Sequence, residues 1–104
     1  MADVAARSAY YAAFHAAEGL IFELAGKVAK THSGVRTEFA RLAKHTPELD
    51  KAFSAFLAEA YKFKQISDYG VDQSESVTLL EAAEAIANAE RFVGRIEALL
   101  EPKH

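Results

Sequence analysis

Arg7-Ser8-Ala9-Tyr10-Tyr11-Ala12-Ala13-Phe14-His15-Ala16-Ala17-Glu18 is the stretch whose reading decides the fold. Its apolar residues, continued through Leu20, Ile21 and Leu24, recur at steps of three and four. That spacing lines one face of a helix and predicts one from Ala5 to about Ala25. At about 100° per residue a second stripe runs alongside, with Arg7, Tyr11, His15 and Glu18 inside roughly 80° of arc. A cation, a phenol, an imidazole and a carboxylate therefore share the flank of a buried helix.

Working outward, Asp3 is the only plausible cap before this helix, and Gly26 suits its C-terminal stop. Residues 27–34 read as a connector. A shorter helix is expected from about Val35 to Lys44, burying Val35, Phe39, Leu42 and Ala43, with Arg36 and Arg41 pointing elsewhere. Thr46-Pro47-Glu48 has the composition of a helix start, because threonine can cap and proline suits the first helical position. The third helix then runs to about Ser67 with Leu49, Phe53, Phe56, Ala60 and Phe63 on its apolar stripe. Lys62, Lys64 and Tyr61 lie to its sides, and Asp68 to Ser74 form a loop. Thr78 and Glu81 have capping-box spacing. The last helix extends to about Leu100, with Ala82, Ile86, Ala89, Val93, Ile96 and Leu100 in one register and Pro102 as its stop.

No stretch alternates as a strand would. The expected fold is all-α, one domain over residues 1–104, most simply an antiparallel bundle of three long helices and one short one. Half of the 104 residues are hydrophobic and about a quarter charged, the balance of a globular chain. The absence of cysteine excludes disulfides, zinc–thiolate sites and thiol catalysis. No run of about 18 apolar residues predicts a membrane span and nothing resembles a signal peptide, so a cytoplasmic protein is expected. The net charge of −3 is uneven: residues 27–45 carry Lys27, Lys30, Arg36, Arg41 and Lys44 against Glu38 alone. Such a segment can meet phosphate, or it can be a solvated loop and helix face.

Several residues are candidates for chemistry. His15 carries an imidazole that can act as a general base, and Arg7 can hold a phosphate in its planar fork. The plainer reading makes Arg7 and Glu18 surface partners and His15 a helix histidine bonded to Tyr11 or a neighbour. His32, between two hydroxyl residues in a basic segment, can bind an anion or fix the loop. His45 ends the short helix, where an imidazole meets the negative end of the dipole. Lys64 and Asp68, one turn apart, either hold the Tyr69 turn or face a groove. No histidine or carboxylate spacing suggests a metal, and dispersed glycines exclude a phosphate-binding glycine loop.

The first run, together with Lys30-Thr31-His32-Ser33-Gly34-Val35 and with Gln65, Asp68 and Tyr69, resembles the HEPN domain family (higher eukaryotes and prokaryotes nucleotide-binding), in its small stand-alone prokaryotic branch. The likeness covers essentially the whole chain. It implies a helical bundle, often a homodimer with a groove between protomers. Many members are metal-independent ribonucleases, often toxins paired with a minimal nucleotidyltransferase antitoxin; others bind nucleotides or RNA without catalysis. On that likeness Arg7 and His15 are the catalytic candidates, and Tyr11, His32, Arg36, Lys64, Asp68 and Tyr69 the nucleotide- or RNA-binding ones. No cofactor is implied.

The chain departs from the nuclease pattern, which separates arginine from histidine by four to six residues. Here seven residues lie between Arg7 and His15, and three between Arg41 and His45. Lys64 stands where relatives commonly carry arginine, keeping the charge and losing the bidentate fork. Relatives also usually have a helix before the Tyr-Tyr-Ala helix. Without it, either a second protomer covers the uncovered face, which predicts a dimer burying part of the Tyr10, Phe14 and Ala17 helix, or the native chain begins further upstream. The rival expectation is a non-catalytic interaction and dimerisation module.

Overall fold

A computed structural model describes residues 2–69 and 78–101, with side chains for all of these except 2, 3, 63 and 66–69. Four helices make up the protein: α1 (Ala2–Ala25), α2 (His32–Lys44), α3 (Lys51–Tyr69) and α4 (Leu79–Leu100). No strand occurs among the described residues. No helix there is long and apolar enough to cross a membrane. The helix α1 is the central rod, packing against the other three, whereas α3 and α4 scarcely meet.

The alanines explain that centrality. Ala6, Ala9, Ala13 and Ala17 are all buried and let neighbouring backbones come close to α1. Tyr10, Leu20 and Ile21, without exposed surface, fill the wider spaces along the same face. Phe92 of α4 meets the rings of Phe39, Phe53 and Phe56 at centroid distances of 5.2, 5.8 and 5.6 Å.

Several expected boundaries and registers shift, each for a local reason. α1 begins at Ala2, so Asp3 lies inside the helix rather than capping it. Leu24 is half exposed, because α1 outruns its neighbours there. Gly26 does end α1: its φ of +67° is a left-handed backbone that glycine adopts at least cost. α2 starts at His32 rather than Val35, because Thr31 is its N-cap and its hydroxyl accepts from Gly34 N–H at 2.9 Å.

Thr46 does not start α3. Its hydroxyl donates to Leu42 O at 2.8 Å and closes α2, leaving Pro47 in the intervening turn. Asp50 caps α3 instead, accepting from Ala52 N–H at 3.0 Å. The buried stripe of α3 includes Leu57, which the expected stripe leaves out, and Phe63 lies outside the described side chains. α3 continues through Asp68 and Tyr69, where a loop was expected; the remainder of that loop and Pro102 lie outside the described residues.

The capping box of α4 is present in both directions, Thr78 with Glu81. The register of α4 is rotated, however. Ala85 and Phe92 are buried, while Ile86 is 40 % exposed and Val93 only half buried. Phe92 decides this, since turning its ring into the three phenylalanines buries more apolar surface than turning Val93 inward would.

Candidate functional site

The dimer face expected at Tyr10, Phe14 and Ala17 is not available. Tyr10 and Ala17 have no exposed surface within one protomer, because α2, α3 and α4 already cover that side of α1. What reaches the surface is the edge of this face, where α1, the start of α2 and the middle of α3 come together.

His32 is the hinge of that edge. As the first residue of α2 it is directed at α1, and its Nδ1 meets the Tyr10 hydroxyl at 2.5 Å. The imidazole sits in an aromatic nest, 4.6 Å from the Phe14 ring and 5.3 Å from the Tyr61 ring between centroids. Tyr61 also packs on Tyr10 at 5.6 Å. Burial pushes the Tyr10 phenol well above its ordinary value, and the positive Arg36 pulls it part of the way back. The phenol therefore stays neutral and can donate to His32 throughout the physiological range.

Arg36 does not point away, as the sequence reading had it. One turn after His32, its guanidinium lies 4.2 Å above the Tyr61 ring, a cation–π contact. Its Nη1 is buried without a hydrogen-bond partner among the described residues. Lys64, one turn along α3 from Tyr61, places its ammonium 5.9 Å from the same ring. Two cations thus share one aromatic ring.

The flank stripe of α1 forms as expected but lies outward. Arg7 is exposed, and the His15 side chain is 72 % exposed with Nδ1 3.0 Å from Glu18 Oε1. Of the partners considered for His15, the structure selects the carboxylate one turn on rather than Tyr11. Tyr11 nevertheless stacks near the imidazole at 6.3 Å and meets His32 edge-on at 6.4 Å. His15 lies eight positions on from Arg7, which is about 12 Å along the helix axis. The two side chains start two turns apart, both exposed.

The basic segment is partly neutralised. Glu38 takes Arg41 at 2.9 Å and Lys27 at 3.6 Å, and the Arg41 hydrogen bond holds its carboxyl below the usual range. His45 is exposed at the end of α2, its backbone N–H donating to Leu42 O. The side chains of Asp68 and Tyr69 lie outside the described residues.

The structure therefore gathers Tyr11, Arg36 and Lys64 around Tyr61 and His32. Sequence reasoning placed Tyr61 beside the stripe and Tyr10 on the apolar face of α1, without His32 as its partner. The signal for Tyr10 was its hydroxyl, because a buried tyrosine on an apolar stripe needs a polar partner from another element. No group of three potential metal ligands occurs among the described residues.

Comparison with curated proteins and with solved structures gives no significant match. A family model does match: the HEPN domain, over residues 1–99. That span takes in all four helices and the whole aromatic–cationic cluster, and the chain belongs to the HEPN domain family.

Proposed function

We propose that this HEPN domain binds single-stranded RNA or a nucleotide at the junction of α1, α2 and α3, and that binding rather than cleavage is its basic activity. One observation carries the reading. The rings of His15, Tyr11, His32 and Tyr61 follow one another at 6.3, 6.4 and 5.3 Å, and the series ends beneath Arg36 and Lys64. Exposed rings offer stacking faces to bases, and the adjoining cations suit phosphate. The start of α2 adds the positive end of a helix dipole with no acidic residue in its first turn.

In this role Tyr11 and His15 stack, Arg36 and Lys64 hold phosphate, and His32 with Tyr10 fixes the platform. Cleavage would need Arg7 at a phosphate and His15 at a ribose 2′-hydroxyl together. Their two-turn separation along α1 favours binding.

The test is fluorescence anisotropy with a labelled single-stranded RNA of about 12 nucleotides, in EDTA and at low salt. Saturable binding that falls roughly tenfold in Arg36→Met and in Tyr11→Ala supports the reading, matching a loss of about 1.4 kcal/mol each. No binding, or binding unchanged in both variants, sinks it. RNA cleaved in EDTA by the wild type and spared by Arg7→Ala and His15→Ala would restore the nuclease assignment. The pairing with a nucleotidyltransferase antitoxin draws support from family membership alone and is tested by co-purification of the two co-expressed proteins.

A second reading, the dimerisation module, is favoured by an apolar trough of about 540 Å³ between α1 and α4, where Ala12 faces Ile86 and Val93. Sedimentation equilibrium of Ile86→Glu against wild type tests whether two copies meet there.

A further inference from the structure

On the opposite side of the bundle, α3 and α4 diverge and leave an open cleft of about 860 Å³. We propose that this cleft is a docking groove for one amphipathic helix of another polypeptide, apolar along one face and basic at one end. The groove plays no part in RNA binding.

Three features define the occupant. The first is the floor: Phe53 and Phe56 are only partly buried, although both pack on Phe92 beneath them. Side chains that large at the bottom of an open channel are what an apolar helix face inserts against. The second is the rim. Ala55 is exposed on the α3 side, so a guest backbone can come close there, while Ala85 of α4 is buried with Ala9 and Ala89. The groove follows α4 from Glu81 to Arg95, about 21 Å, which suits a helix of about 14 residues.

The third feature is charge, and it gives the guest a direction. At one end Glu59 and Glu84 are exposed across the groove, with Glu81 of the capping box beside them. At the other end Arg91 and Arg95 stand opposite Glu48 and Asp50, so charge there is balanced. Arg95 Nε donates to Glu48 O at 3.0 Å, and Arg91 is held by Asn88. A guest helix with lysine or arginine at one end finds complementary charge only when that end lies between Glu59 and Glu84.

The probe is a labelled, end-capped helical peptide of about 14 residues, with leucines spaced at i, i+3, i+4 and i+7 and two lysines at one end. Anisotropy is read with the whole protein at up to about 1 mM. Saturable binding is expected, weakened about tenfold or more by Glu59→Lys/Glu84→Lys. A peptide carrying glutamates in place of the lysines should recover affinity for that double variant. Ala55→Trp, at an exposed position, should block both peptides while circular dichroism stays helical. No binding by wild type, or affinity indifferent to all three changes, overturns the proposal. So does a dimer that Ala55→Trp converts to monomer in sedimentation, because the occupant is then a second copy of this chain.

Discussion

His15 and His32 differ in how they are held. His15 is tied to Glu18, three residues away on its own helix, and most of its side chain faces water. His32 is tied to Tyr10 across 22 residues of chain and lies among the rings of Phe14 and Tyr61. A local exposed pair adds little to stability because water competes for both partners. A long-range pair that is half out of water fixes how two helices sit together, and losing it leaves polar atoms stranded. A helix flank that stands out in the sequence can thus matter less than a contact between helices.

The strongest way to break this contrast is Tyr10→Ala. It removes a fully buried ring and the partner of His32 together, and should cost about 3–5 kcal/mol in urea unfolding. A loss below about 1 kcal/mol would mean that α2 is held independently of Tyr10. Tyr10→Phe keeps the ring and removes only the hydroxyl that meets His32 Nδ1, with an expected loss of about 1 kcal/mol.

The same variant sharpens the contrast through pH. Below 10.0, the ordinary phenol value, Tyr10 is neutral whether folded or unfolded. Above it the unfolded chain ionises while the buried phenol resists, so stability falls as pH rises. Tyr10→Phe should flatten that alkaline decline. An unchanged slope would assign the decline to other groups.

Comparable in size is Gly34→Ala. A Cβ there would stand 2.9 Å from Thr31 Oγ1, displacing the hydroxyl that caps α2. The expected cost is about 1–2 kcal/mol, in the range of a lost N-cap. Smallest is His15→Ala, within about 0.5 kcal/mol of wild type, as for an exposed local pair. A larger loss would show that the flank supports the fold after all.

Much of the fold was legible because helical period and capping are local. Gly26, the Thr78–Glu81 box and the buried stripe of α1 all rest on neighbours within one turn or two. The register of α4 was not, since Ile86 and Val93 fit a period as well as Ala85 and Phe92 do. Only the three phenylalanines around Phe92 distinguish the two. Thr46 has the chemistry of a cap, but the end of α2 claims its hydroxyl and Asp50 caps α3. At the site, the charged and ring residues of α1 and α2 could be named in advance. Their convergence on Tyr61 could not, because Arg36 over Tyr61 depends on how α2 lies on α3.

The turn at Thr31 also limits how this protein can vary. The threonine hydroxyl sets the first residue of α2, the missing side chain at Gly34 leaves room for it, and His32 consequently faces Tyr10. Four positions thus behave as one inherited unit. A sequence that keeps the tyrosine–imidazole pair needs a capping oxygen at position 31 and room for it at position 34, whereas Ser33, exposed between them, carries neither demand.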